Sequence, residues 1–343
     1  MKVSIIGGGG LVGSMTAYAL QLGGVASSIC TIDANKEVSQ GVAVDLLHGA
    51  SLVADQRIYA GDMSDVKTSN VVVVTAGLRR KPDESRLDLI NRNVDLFMNL
   101  LGQMKQSGFK ENTYLVVVSN PVDVLTYLAV KHSGLPASRV LGLGTVLDTA
   151  RFQSYLAEKL KAPATQVKAL ILGEHGDSMV PIWSSATVGG FPIDQWPGFT
   201  TKLGQETFEA TKTAGATVIK LKGGSGFAVG VSIREVVQSL LLDSRKILPV
   251  SSLMTGAYGV NDVCLSVPTE VGCGGARKII ELPLTPRERT GIQNSARVLR
   301  DTIDAVEKRL AAGPSASAAT ATTPSTPATQ GRVIPRSVWG GKK

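Results

Sequence analysis

The stretch VSIIGGGGLVGS, residues 3–14, taken with SICTIDAN, residues 28–35, decides how the chain begins to fold. An apolar run, Val3 to Ile6, meets four consecutive glycines, and a helical pattern opens behind them. The pattern G-x-G-x-x-G closes in one register only. Gly8, Gly10 and Gly13 fit it, whereas a start at Gly7 needs glycine where Val12 stands. A strand that turns on glycines into a helix lets the backbone of Gly8, Gly9, Gly10, Leu11, Val12 and Gly13 approach a pyrophosphate. The unpaired N–H groups and the dipole of the helix N-terminus favour that anion. Asp33 lies 20 residues beyond Gly13, at the end of the second apolar run. A carboxylate there accepts hydrogen bonds from the adenosine ribose hydroxyls and repels a 2′-phosphate, so NAD is expected as cofactor over NADP.

Outward from this unit, strand-sized apolar runs alternate with helical patterns. The runs are Val3 to Ile6, Ser28 to Ile32, Val71 to Thr75, Tyr114 to Val118 and Val140 to Leu143, and the helices are Leu11 to Leu22, Leu87 to Met104 and Val122 to His132. Such alternation predicts an α/β fold with a doubly wound, parallel Rossmann sheet over residues 1–145. From Thr145 the grammar changes to a long helix ending at Leu160, a strand through Leu172, helices near residues 206–220 and 227–242, and strands near Val263 and Ile279. A last helix from Pro286 to Leu310 carries Ile292, Ala296, Leu299, Ile303, Val306 and Leu310 on one face. Residues 146–312 are therefore expected to form a second, α+β substrate domain. Residues 313–343 open with a Pro-punctuated small-residue tract that cannot bury enough surface to order itself, so a disordered tail is expected there.

The 343 residues carry a net charge of +8, which raises the question of an anionic partner such as nucleic acid. Four of those eight charges lie in the tail, on Arg332, Arg336, Lys342 and Lys343, with no acidic residue beside them, so nucleic acid is not expected as a partner. Three cysteines lack metal-ligand spacing, and the chain opens directly into a strand without a leader-like segment. A reducing, cytoplasmic setting is the expectation. No apolar run approaches the ~18 residues of a membrane span, and no metal site is read from the sequence.

Three histidines narrow the search for a proton carrier. His48 and His132 read as helix-end residues. His175, in LGEHGDSMVPIW, follows a strand and is flanked by acids, which alone suits a surface or metal-binding residue as well as a base. Asp148 and Arg151, spaced i, i+3 in GTVLDTARF, alone suit an ordinary ion pair. Taken together, GGGLVGS, TIDAN, TAGLRRKPDESRLDL, VVSNPVDVLT, LGLGTVLDTARF and LGEHGDSMVPIW, in this order, resemble the NAD-dependent malate and lactate dehydrogenases over residues 1–312. The resemblance implies that His175 is the acid–base residue, that Asp148 holds its imidazole and that Arg151 grips the substrate C1 carboxylate. It further implies that Arg86 closes over the substrate on a mobile loop and that Asn120 touches both the nicotinamide ribose region and the substrate oxygen. Val118, Ser119 and Asn93 are implied as further cofactor contacts. It also implies a homo-oligomer, with a tetramer favoured over a dimer.

Within that family the position six residues before the loop arginine separates substrates, and here it is Arg80. Arginine suits the second carboxylate of malate or oxaloacetate. Facing the methyl group of pyruvate it is an unpaired buried charge, a penalty of about 3–5 kcal/mol. The expectation is therefore an L-malate dehydrogenase of the tricarboxylic acid cycle, taking a small dicarboxylate, with an L-lactate or broader L-2-hydroxy acid dehydrogenase as the alternative. Ser225 stands where lactate enzymes place Thr beside the substrate methyl, and does not decide between them. Gln153 and Lys168 replace the Arg and His of sugar-bisphosphate-activated enzymes, so that regulation is not expected. Asp83 replaces a usual glycine beside the mobile loop, which predicts altered closure. A non-catalytic NAD-binding protein is disfavoured by the retained acid–base pair, and an NAD-dependent glycosidase by the lack of a metal site. The tail is similar in form to terminal peptides that bring bacterial enzymes to protein-shelled compartments. Pro335 and the closing glycines disfavour an amphipathic helix there, so a plain extension is expected ahead of shell binding.

Overall fold

The computed structural model describes residues 1–79 and 83–312. The readings placed on Arg80 and on the tail, residues 313–343, lie outside them. A compact unit spans Met1–Val306, and a second begins at Glu307, of which the last residues of the final helix are described.

The strands, in chain order, are β1 (Lys2–Ile6), β2 (Ser28–Ile32), β3 (Arg57–Ala60), β4 (Val71–Val74), β5 (Tyr114–Val117), β6 (Val140–Gly142), β7 (Val167–Leu172), β8 (Val180–Val188), β9 (Phe191–Pro192), β10 (Lys246–Thr255), β11 (Asn261–Gly272) and β12 (Gly275–Ile279). The helices are α1 (Leu11–Gly23), α2 (Lys36–Gly49), α3 (Arg86–Ser107), α4 (Val122–His132), α5 (Val146–Leu160), α6 (Thr201–Lys222), α7 (Phe227–Leu242) and α8 (Pro286–Ala311). The main sheet runs β12-β11-β10-β6-β5-β4-β1-β2-β3, and its six first-half strands are parallel. This is the doubly wound order expected of a Rossmann sheet, with the chain reversing direction between β1 and β4. A ligand crevice opens at that switch point, beyond the carboxyl ends of the strands. The four valines of β4 are wholly buried, as befits a strand covered on both faces.

Antiparallel strands from the second half extend this sheet. β10 joins β6 through the pair Ser251 and Gly142, and β11 and β12 follow. A small antiparallel sheet, β7-β8-β9, packs on α5, where Phe152, Leu156, Val167, Ile171 and Val188 form a core of their own. Phe152 meets Trp183 edge-on at 5.1 Å, closing that core toward β8. The two sheets are tied by the pairing of Gly173 with Ser266, each backbone N–H donating to the other's carbonyl at 2.9 Å.

Among the described residues no helix is long and apolar enough to cross a membrane. Cys30, Cys264 and Cys273 are free thiols.

Candidate active site

The glycine loop is shaped by contact as much as by conformation. Gly7, which the motif register passes over, has φ +87°, and a Cβ there meets the backbone N of Ala76 at 2.6 Å. A Cβ on Gly13 falls 2.1 Å from the carbonyl oxygen of Gly7, so only glycine lets α1 start this close to β1. Gly10 caps α1 in an extended conformation with no side-chain hydrogen bond, leaving the first-turn N–H groups to a ligand. Asp33 reaches back to this loop, its Oδ2 accepting the Gly9 N–H at 3.0 Å. These features fit an NAD pyrophosphate and ribose: Gly8, Gly9, Gly10, Leu11, Val12 and Gly13 frame the cradle, and Asp33 flanks it. Gly13→Ala is expected to weaken NADH binding about tenfold or more, because the added methyl drives α1 from β1. Fluorescence titration measures this, and an unchanged affinity places the dinucleotide elsewhere.

The loop opens into a cavity of about 320 Å³ whose wall includes Val12, Val118, Asn120, Asp148, Arg151, His175, Gly215 and Ser225. Residues from both halves of the chain thus face one space. Ser119 is buried behind it, its hydroxyl donating to the carbonyls of Val74 and Ala76 and so pinning the end of β5 to that of β4. Asn93 of α3 lies off the cavity wall. Its Oδ1 accepts the Leu78 N–H at 2.7 Å, so it braces the segment leading out of β4.

His175 sits in the connection between β7 and β8, and three successive backbone N–H groups of that connection are held from outside it. Gly173 donates to Ser266, Glu174 to the Ser295 hydroxyl at 2.7 Å, and His175 to Asp123 Oδ2 at 2.8 Å. The imidazole Nδ1 lies 2.5 Å from Asp148 Oδ2, which leaves Nε2 as the free ring nitrogen. Asp148, in the first turn of α5, is favoured by the helix dipole, and its other oxygen accepts from Arg151 at 3.1 Å. Burial opposes the charge on Asp148, but His175 and Arg151 outweigh it and hold the carboxyl below its usual range. Burial also opposes the imidazolium, yet the Asp148 carboxylate more than compensates and His175 is pushed up to about 8. Arg151, with only 15% of its side chain exposed, presents a guanidinium to the cavity beside the imidazole.

Arg86 stands elsewhere. As the first residue of α3, capped by Ser85, it is two-thirds exposed and off the cavity wall, and it pairs at 2.6 Å with Asp177 at the cavity rim. Asp177, Lys212 and Gly215 on the cavity wall, and Asp123 behind His175, are functional candidates with no local signature in the sequence. Asp177 lies in LGEHGDSMVPIW and Asp123 in VVSNPVDVLT, but only the fold brings them to their partners. Among the described residues no group of three or more His, Cys, Asp or Glu could hold a metal ion.

A glycine cradle at the switch point of a Rossmann sheet, opening on a cavity that holds an arginine beside a histidine–aspartate pair, is the arrangement suited to a dehydrogenase of hydroxy acids. The lactate/malate dehydrogenase NAD-binding domain matches residues 1–142, and the lactate/malate dehydrogenase α/β C-terminal domain matches residues 145–310. The chain is 40% identical over 310 residues to L-lactate dehydrogenase 1 of Clostridium acetobutylicum, covering 89% of this chain and 98% of that one. It is 41% identical over 307 residues to an L-lactate dehydrogenase of Synechococcus sp., covering 89% and 99%. The crystal structure of a minor L-lactate dehydrogenase from Enterococcus mundtii superposes with a TM-score of 0.85 at 38% identity, covering 89% and 98%. The chain belongs to the lactate/malate dehydrogenase family and is an NAD-dependent 2-hydroxy acid dehydrogenase.

The expectation of malate as substrate, and of a tricarboxylic acid cycle enzyme, is overturned by these relatives, which are lactate dehydrogenases. That expectation rested on Arg80, outside the described residues. Among the described residues Arg151 is the one arginine on the cavity wall, which matches a single carboxylate.

Proposed function

We propose that this chain is an NAD-dependent L-lactate dehydrogenase that interconverts lactate and pyruvate. The observation that carries the reading is the Arg151 fork, the one arginine on the cavity wall among the described residues, beside the His175–Asp148 pair in a cavity continuous with the glycine loop. The names of the relatives support it. Residues 1–145 are proposed to carry the cofactor and residues 146–312 most of the substrate machinery.

Arg151 binds the C1 carboxylate through a planar guanidinium already oriented by Asp148. In lactate oxidation His175 Nε2 accepts the C2 hydroxyl proton, because Asp148 occupies Nδ1 and stabilises the imidazolium that forms. When bound, NAD supplies the acceptor for the hydride leaving C2, and NADH the donor in reverse. In pyruvate reduction the same imidazolium returns its proton to the carbonyl oxygen. Asn120 stands at the exposed edge of the cavity and Ser225 on its wall, where they meet the substrate from opposite sides of the chain's sequence. Arg86, released from Asp177, is the residue to polarise the carbonyl on closure. Exposed Tyr18 and Leu22 on α1, with Phe227 and Val231 on α7, the helix packed against it, support a homo-oligomer. The three free thiols support a reducing compartment.

Steady-state assays with NADH and either pyruvate or oxaloacetate test the substrate. Pyruvate is expected to give the higher kcat/KM, and a preference for oxaloacetate defeats the lactate reading.

A further inference from the structure

Asp123 lies in the first turn of α4, the second residue of the helix, and is 2% exposed. One carboxylate oxygen accepts the His175 backbone N–H at 2.8 Å, and the other has no hydrogen-bond partner. A buried carboxylate with one oxygen unpaired is costly, and an apolar residue of similar size fills such a place more cheaply. Its location supplies a reason for its retention. Asp148 holds the ring of His175, and Asp123 holds its backbone, so the base lies between two buried acids from two different helices.

We propose that Asp123 is a positioning residue for His175: it fixes the loop that carries the imidazole and sets a second buried carboxylate beside that of Asp148. The inference rests on the reading of His175 as the acid–base group. The groups facing Asp123 are His175 and Glu174 in the loop, Ser251 of β10 and the buried Cys264 thiol of β11. Those facing the imidazole are Asp148 and Arg151 of α5 and Asp123 itself, while Asp177 and Lys212 line the same cavity. Burial pushes the Asp123 carboxyl up to about 6, against the opposing pull of the His175 N–H and imidazole, so it is ionised at neutral pH. Its charge therefore acts on His175 across the range in which the imidazole titrates. The Cys264 thiol, raised first by burial and then by the Asp123 charge, stays neutral and does not compete.

The test separates charge from hydrogen bonding. Asp123→Asn keeps an oxygen to accept the His175 N–H and removes the charge. The basic limb of the pH profile for pyruvate reduction is expected to move toward acid by about 0.5–1 pH unit, with reduction at pH 8 falling about two- to fivefold. Asp123→Ala removes the acceptor as well and is expected to lower kcat further with little change in the NADH KM. The His175 imidazole, assigned by its absence in His175→Asn, is expected to titrate lower by the same amount in NMR spectra of the Asp123→Asn chain. That readout needs no turnover, so an enzyme inactive on pyruvate defeats the substrate reading without touching this one. If the folded variants titrate and turn over like the wild type, Asp123 does not act on His175 and the proposal is overturned.

Discussion

His175→Asn is expected to lower kcat for pyruvate reduction about 10³-fold while leaving NADH affinity within about twofold. The amide retains bulk and polarity beside Asp148 but cannot carry a proton to the substrate. NADH affinity survives because the glycine loop and Asp33 form their contacts without the imidazole. Stopped-flow reduction and NADH fluorescence read the two quantities separately. The wild-type pH profile belongs to the same prediction. With His175 at about 8, pyruvate reduction, which needs the imidazolium, falls as pH rises through that value. Lactate oxidation, which needs the neutral ring, rises through it. A variant that keeps full turnover, or profiles without these opposed limbs, removes His175 from its role.

Arg151→Lys is expected to raise the KM for pyruvate about 30- to 100-fold, corresponding to about 2–3 kcal/mol, with the NADH KM unchanged. Lysine keeps the charge and loses the fork. The loss is twofold in origin, since the guanidinium both faces the cavity and donates to Asp148 at 3.1 Å. An ammonium on a flexible stem cannot satisfy carboxylate and Asp148 together in one plane. Part of the effect is therefore expected in kcat, through a less firmly held Asp148. A KM that stays at the wild-type value shows that the substrate carboxylate binds elsewhere.

How far the sequence revealed this site follows from the range of each interaction. β4 is four valines buried on both faces, and a continuous apolar run of that kind reads directly as a central strand. The helix pair Asp148 and Arg151 is local, and its geometry follows from i, i+3 spacing. The edge strand β3, RIYA, and the helix α2, with a short apolar face, gave weak periodicity and were passed over. β10 carries Pro249 and paired serines in KILPVSSLMT, which do not read as a strand until β11 lies beside it. Long-range contacts were the least visible. Asp148 and His175 are 27 residues apart, and Asp123 and His175 are 52 apart. The first pair was reached through a family resemblance, and the second had no local signature. The malate expectation failed for a related reason, in that it let one loop arginine outweigh a cavity wall that only the fold assembles.

The pairing of Gly173 with Ser266 stitches the small sheet to the large one two residues before His175. The next two N–H groups are held by Ser295 of α8 and Asp123 of α4, so three separate parts of the fold clamp the three residues that end in His175, and the reacting nitrogen is carried on a backbone with no slack of its own.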